Sequence, residues 1–296
     1  LAEDVGLSVK WLSFDTEKYE FDLNCLENLL SDKTKIICIG GASNLLGTIN
    51  DIKSICKIAK KVNALTYIDA VQLAPHVSID VQDIDCDFLV CSAYKFFGPH
   101  QGILWGKRKF LKSLSPYKVR PATSELPGCF ETGTQSHEGM AGTTAAVNYF
   151  AWIGREYAET YQIENKYKNE RTKFVHAALD YLFEYEKLLT IDLIEGLQNI
   201  KNVQVQGITE KNALDRRLPT VSFSVSGLSP SLIAEGLAKE NIFVWSGHSY
   251  ALEVVKSLNL LDEGGVLRTG PVHYNTINEV HEFLEILDKL ISKELG

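Results

Sequence analysis

The chain has 296 residues, 45% of them hydrophobic and 23% charged, enough for one large domain or a large and a small one. A net charge of -8 and a sequence pI near 5.5 argue against a grip on nucleic-acid phosphates. No apolar run approaches the roughly 20 residues that span a bilayer, and no secretory leader is read; six cysteines without paired spacing lead to the expectation of a reduced, cytoplasmic compartment.

Leu1–Gly6 reads as a helix end with its terminating glycine. With Leu rather than Met at position 1, the chain is expected to begin partway through a longer protein. Val9–Leu12 alternates like a strand, and Asp22 to Leu30 puts Leu23, Leu26 and Leu30 on one helical face. Thr34 to Ile39 is a β-branched run stopped by Gly40-Gly41, a buried parallel strand by its composition. Ile52, Ile55, Cys56, Ala59 and Val62 recur at helical spacing, with lysines on the other face and Asn50 or Asp51 as cap. Short strands follow at Tyr67–Asp69, Phe88–Cys91 and Gly102–Gly106. Strand, helix and further strands with short connections predict an open α/β sheet with a parallel part.

Residues 112–138 read as a long loop, and 140–200 as helical with a break near Gly154; the charged run Glu164–Glu170 reads as a solvated helix face. Strands are expected at Val203–Val205, Thr220–Val225, Ile242–Trp245 and Val266–Thr269. Helices are expected from Pro230 to Lys239 and from about Asn278, the last with a capping box of Thr276 and Glu279. The resulting organisation is a large-domain portion over 1–139, connecting helices over 140–200 and a small α+β domain over 201–296.

Cysteines stand at 25, 38, 56, 86, 91 and 129, with no CxxC pair and no zinc spacing; none follows Cys129. Several lie in apolar runs, where a free thiol acts as a small hydrophobe. No metal is implied. Functional side chains of an open α/β sheet gather at the strands' carboxyl ends, and Asn44, Asp69 and Lys95 all lie there. A carboxylate and a lysine ending two apolar strands are costly as mere core. As a pair they suit pyridoxal 5'-phosphate, which needs a carboxylate at its pyridine nitrogen and a lysine for a Schiff base.

Five stretches carry a resemblance: Ser43–Asn50, Tyr67–Gln72, Ser92–Pro99, Phe130–Gly139 and Leu267–Thr276. Together they resemble class V aminotransferases, and most closely the cysteine desulfurase-like branch. The resemblance implies a type I pyridoxal-phosphate-dependent transferase fold, a mostly parallel sheet with flanking helices plus a smaller α+β C-terminal domain. It implies Lys95 as the Schiff-base lysine, Asp69 as pyridinium partner and Gln72 at the ring's phenolic oxygen. Asn44 would approach that oxygen or the substrate carboxylate. Ser92 and Tyr94 would reach the phosphate, Tyr94 standing where the family usually has His. Thr134 would serve the phosphate of the neighbouring subunit, implying a homodimer with shared active sites. Arg268 would clamp the carboxylate of an amino-acid substrate, and His248 would line the substrate pocket or act as an acid.

Two departures are read beside it. Desulfurases carry a mobile cysteine in the loop after the Ile242–Trp245 strand, and Tyr250 occupies its place; a phenol cannot take up the sulfur. The family's upstream phosphate loop and ring-stacking aromatic are also expected to lie outside this chain. The expected activity is therefore that of an aminotransferase- or lyase-type enzyme acting on an amino acid. The alternative is a catalytically impaired or non-catalytic homologue or fragment that keeps fold and dimer interface. A dinucleotide-binding alternative fails because Gly40-Gly41-Ala42-Ser43-Asn44 is no G-x-G-x-x-G turn.

Overall fold

The computed structural model describes residues 2–131, 133–158 and 167–296. Contacts divide the chain into two compact units. One, the lysine-bearing unit, comprises Ser31–Gly41 and Asp51–Tyr181; the other, the arginine-bearing unit, comprises Leu1–Leu30, Ala42–Asn50 and Leu182–Gly296.

The arginine-bearing unit begins the chain with a single 3₁₀ turn, Glu3–Val5, ended by Gly6 at φ +71°. Val9–Leu12 is not a strand. The pairing lies just beyond it, where β1 (Phe14–Asp15) and β2 (Glu20–Phe21) form a two-residue hairpin. Alternation alone could not find it, because so short a ladder is set by its turn, where Asp15 accepts from the Glu17 and Lys18 backbone amides. Helix α1 (Leu23–Leu29) follows, its N-terminus capped by Asp22.

The lysine-bearing unit is built on β3 (Ile36–Gly40), β4 (Leu65–Asp69), β5 (Phe88–Ser92) and β6 (Gly102–Gly106), in that spatial order. The first two pairings are parallel and the last antiparallel. β3 lies at the edge of the described sheet and is half-exposed, with Ile36 exposed, where its composition predicts burial. Helix α2 (Ile52–Lys61) is capped by the Asp51 carboxylate at Ser54 N and buries Ile52, Ile55, Cys56, Ile58 and Ala59. The short α3 (Val81–Ile84) precedes β5.

At the amino end of β4 and β5 a buried clasp fixes the two strands. The Asp87 carboxylate accepts from Thr66 N at 3.0 Å and Thr66 Oγ1 at 3.2 Å, and pairs with Lys107 Nζ at 2.9 Å. In return Asp87 N donates to Thr66 Oγ1 at 2.9 Å. A buried carboxylate is tolerated when its lone pairs are filled in this way.

Helix α4 (Arg108–Ser113) ends the sheet, and a 3₁₀ turn at Gly128–Phe130 interrupts the long loop before α5 (His137–Tyr157). The helix runs through Gly154 and ends at Tyr157, three residues beyond, near where the break is expected. The glycine meets the Phe174 carbonyl so closely that any Cβ would collide with it, so it serves close approach rather than termination. Of the charged run Glu164–Glu170, positions 164–166 lie outside the described residues. The run ends at the start of α6 (Glu170–Asn199), within which the boundary between the units falls.

The remaining elements complete the arginine-bearing unit: β7 (Val203–Gln206), β8 (Val221–Val225), α7 (Pro230–Lys239), β9 (Trp245–Gly247), α8 (Leu252–Ser257), β10 (Val266–Thr269) and α9 (Ile277–Leu295). The sheet order is β7-β8-β10-β9 and every pairing is antiparallel. Leu193, Leu197, Phe223, Ile233, Leu267 and Leu287 fill its core. The last helix starts on the capping box read from the sequence, Thr276 and Glu279 answering each other's backbone amides. β9 starts at Trp245 rather than Ile242. Its register is dictated by β10, which pairs Leu267 with Ser246 and Arg268 with Trp245. Among the described residues no helix is long and apolar enough to cross a membrane.

Candidate active site

The carboxyl ends of β4 and β5 lie side by side, because the parallel register pairs Asp69 with Val90. Asp69 is the last residue of β4 and is exposed, where its place at the end of a buried strand predicts burial. Its Oδ1 accepts from Val71 N at 2.9 Å, the Asx turn that bends the chain out of the strand. Its backbone is fixed from both neighbours: Gly41 N donates to Asp69 O at 2.7 Å, and Ala70 N to Val90 O at 2.8 Å. Among the described residues no side chain donates to the carboxylate. Gln72 stands half-buried in the turn that follows.

Ser92 closes β5, and the chain passes at once into the 3₁₀ turn Ala93–Phe96 that carries Tyr94 and Lys95. The turn is locked by Gly98 N donating to Ala93 O and by Ala93 N donating to Gln101 O, both at 2.8 Å. Phe97 closes it in the left-handed region at φ +68°. Lys95 is half-buried and, among the described residues, forms no ion pair; its ammonium sits 5.1 Å from the centroid of the Tyr94 ring. Tyr94 in turn stacks on His100 at 4.9 Å and 17°. Thr134 is exposed, in the loop before α5.

In the arginine-bearing unit, Arg268 on β10 lies half-buried between β8 and β9. Its Nη1 donates to Asn44 O at 2.9 Å. Burial lowers the guanidinium's pKa from its ordinary value, and among the described residues no carboxylate pairs with it. A partly desolvated guanidinium with donors to spare suits a planar carboxylate. Asn44 also uses its side chain: Nδ2 donates to Ser249 O at 2.8 Å. The Ala42–Thr48 turn holding Asn44 is tightened by Ser43 Oγ, which accepts from Leu46 N at 3.0 Å. It needs glycine at 47, where φ is +75° and a Cβ would stand 2.6 Å from Thr220 O.

His248 is exposed, and its Nδ1 accepts from Tyr250 N at 3.1 Å. Ser249 and Tyr250 are both left-handed, at φ +47° and +62°, after Gly247 at +108°. Non-glycine residues held there cost on the order of 1–2 kcal/mol each. Ser249 Oγ is buried without a hydrogen-bond partner among the described residues, while Tyr250 is 93% exposed.

The sequence-derived residues thus fall into two sets. Asp69, Gln72, Ser92, Tyr94, Lys95 and Thr134 belong to the lysine-bearing unit; Asn44, His248 and Arg268 belong to the other. Sequence reasoning missed Arg217, buried and held by the carbonyls of Gln206, Ile208 and Thr220. Burial pushes its pKa down to about 10. Nothing in the pair Arg216-Arg217 distinguishes the buried guanidinium from the exposed one. Burial raises the thiols of Cys56, Cys91 and, to about 11, Cys86, which disfavours their thiolate forms.

A family model described as aminotransferase class-V matches residues 1–173 and 169–283. A probable cysteine desulfurase of Synechocystis sp. is 31% identical over 303 residues, covering 98% of this chain and 65% of that protein. The aminotransferase-like protein FGM3 of Gibberella zeae is also 31% identical, over 285 residues, covering 95% and 65%. The chain therefore spans just under two thirds of the length of these relatives. Among solved structures, the apo cysteine desulfurase of Thermococcus onnurineus NA1 superposes with a TM-score of 0.83 at 27% identity, covering 99% of this chain and 68% of that one. The fold is that of the type I pyridoxal-phosphate transferases, as the sequence blocks imply.

Proposed function

We infer that this chain, which belongs to the aminotransferase class-V family, is the lysine- and arginine-bearing part of a pyridoxal-phosphate-dependent enzyme acting on an amino acid. The observation that carries the reading is the pairing of β4 and β5. It sets an exposed carboxylate and a lysine without an ion pair among the described residues at neighbouring strand ends. The donor set fits the cofactor: Asp69 has acceptor capacity left for a ring N–H, and among the described residues no acid neutralises the Lys95 amine. When bound, pyridoxal 5'-phosphate supplies an electron-poor ring that accepts the electron pair of a bond broken at the substrate Cα.

The residues of this chain would do the rest. Asp69 would hold the proton on the pyridine nitrogen, and Gln72 would orient the ring from the turn beyond it. Lys95 Nζ would bind the cofactor aldehyde covalently and, once displaced by substrate, carry the Cα proton. Ser92, with Tyr94, would donate to the phosphate, and Thr134 would donate to that of a neighbouring subunit in a homodimer. Arg268 would bind the amino acid's carboxylate and set which bond is aligned for cleavage, with Asn44 bracing it; His248 would flank the substrate. The setting expected for such a protein is cytoplasmic, without nucleic-acid or membrane partners.

The relatives named as cysteine desulfurases suggest sulfur chemistry, but an exposed Tyr250 stands in the 247–251 loop and no cysteine follows Cys129. The proposed reaction is therefore transamination, elimination or C–S cleavage without a persulfide on this chain. That same loop favours the second reading, a homologue that keeps the fold and has lost turnover.

The test is covalent trapping. Incubation with pyridoxal 5'-phosphate, borohydride reduction and peptide mapping are expected to place the label on Lys95, and Lys95→Ala is expected to abolish it. A label elsewhere, or one that survives the substitution, refutes the assignment. An amino-acid panel read for sulfide, ammonia and keto acid then separates the reaction classes. Sulfide release from free cysteine at rates typical of desulfurases would overturn the reading of Tyr250, and no product from any amino acid would favour the second reading.

A further inference from the structure

Side chains alternate between the two faces of the antiparallel sheet. Along β10, Leu267 lies in the core beside Phe223 of β8, while Val266 and Arg268 take the opposite face. Val266 is covered there by Leu45, Val255 and Leu260. The same alternation runs through the segment leading into β9. Ile242 and Val244 pack on the core, whereas Phe243 and Trp245 are 83% and 57% exposed. Residues directly opposite on antiparallel strands share a face, with Cβ atoms about 4.5–5.5 Å apart. The register therefore sets Arg268 between Ser222 of β8 and Trp245 of β9. These two neighbours differ. Ser222 is fully buried, and its hydroxyl donates to Leu45 O at 2.6 Å. Trp245 presents its indole from the edge strand.

We propose that Trp245 sets the substrate class: a carboxylate held by Arg268 directs the rest of the amino acid over the indole, and the site takes an uncharged aromatic or large apolar side chain. The proposal rests on the reading of Arg268 as the carboxylate clamp. With Ser222 closing the β8 side, the open side of the guanidinium is that of the indole. A ligand side chain lying there exchanges water for an apolar face, and a planar one adds ring-on-ring contact. Charge gives a second, independent argument. From Asn241 through Leu252 the chain holds no Asp, Glu, Lys or Arg, although 23% of its residues are charged. An acid or amine at the end of a ligand's side chain would find no opposite charge along this segment and would lose water against the indole. The loop that follows β9 adds further aromatic surface, Tyr250 being 93% exposed with its ring edge-on to His248 at 6.1 Å. The closeness of Trp245 to Arg268 is set by strand register, so it holds whatever covers the outer edge of the sheet.

Equilibrium dialysis of the full chain with saturating pyridoxal 5'-phosphate tests it. The probes are α-methyl-phenylalanine, α-methyl-aspartate and α-aminoisobutyrate, which lack a Cα proton and so bind without its removal. The aromatic probe is expected to bind about tenfold or more tighter than α-aminoisobutyrate, and α-methyl-aspartate no tighter than α-aminoisobutyrate. Trp245→Ala should bring the aromatic-to-small ratio to within about threefold, and Trp245→Phe, which restores a ring, should keep it at about fivefold or more. Should Trp245→Ala lose its native circular dichroism, Trp245→Val, a better strand former, takes its place. A wild-type ratio near one, a preference for α-methyl-aspartate, or a ratio that loss of the indole leaves intact would overturn the proposal. Arg268→Gln scores the underlying reading. It should weaken all three probes alike, so probes that bind through Arg268 without preference refute the selectivity alone. No binding, or binding that Arg268→Gln leaves unchanged, refutes the clamp and the proposal with it. The cofactor is scored separately by the Lys95 label.

Discussion

The clasp at the amino end of the lysine-bearing sheet gives a sharp test of how that sheet is held. Asp87→Asn keeps shape but removes the charge and turns an N–H₂ group toward donors. In the native protein the carboxylate accepts from Thr66 N, Thr66 Oγ1 and Lys107 Nζ, at 3.0, 3.2 and 2.9 Å. An amide has one acceptor oxygen to offer, so at least one of these bonds is replaced by a donor–donor contact. Hydrogen bonds to a charged group contribute about 1.5–3 kcal/mol each, and breaking a buried pair costs about 3–5 kcal/mol. Lys107 retains Asp85 at 2.6 Å, which keeps its ammonium satisfied and places the expected loss near 3 kcal/mol. For a chain of this size that is a drop in melting temperature of roughly 6–10 °C. Thermal melts of the wild type, Asp87→Asn, Thr66→Val and the double variant form a cycle whose coupling should be about 1 kcal/mol. A single Asp87→Asn variant melting within about 1 °C of wild type would refute the clasp as a stabilising element.

Two further outcomes are expected. Gly154→Ala should destabilise by about 2 kcal/mol or more: the gain in helix propensity is about 1 kcal/mol, whereas the new methyl is driven into the Phe174 carbonyl. A denaturant midpoint equal to or above wild type would refute it. Burial raises the Cys86 thiol to about 11, above its ordinary 9.0. The unfolded chain therefore ionises first as pH rises, so this contribution is complete below pH 9 and is lost through the window up to about 11, amounting to at most about 2.7 kcal/mol for two pKa units. Cys86→Ala should flatten that part of the stability–pH curve, and an unchanged slope would count against it.

Much of the candidate site was legible because its residues sit where local pattern is strong. An apolar run ending in Asp69 and another ending just before Lys95 mark two strand ends without any tertiary knowledge, and Thr276 with Glu279 marks a helix start by side-chain chemistry alone. The misses share a different cause. Ile242, Phe243 and Val244 have the propensity of a strand, yet β9 begins at Trp245 because pairing with β10 sets it. The break read near Gly154 falls three residues later, at Tyr157, but the glycine's own role is a close approach that only the neighbouring Phe174 backbone reveals. Arg217 is indistinguishable from Arg216 by sequence, because its burial depends on carbonyls from three separate positions. Local chemistry was readable; long-range pairing was not.

Asn44 has one consequence beyond its place in a turn. Its backbone carbonyl accepts from Arg268 and its side-chain amide donates to Ser249 O, so a single residue couples a strand arginine to the strained 247–251 loop. If that loop relaxes from its left-handed backbone, the guanidinium loses its fixed reference as well. On the role proposed for Arg268, sequence changes around Tyr250 would be felt as altered carboxylate affinity, even where they touch no ligand.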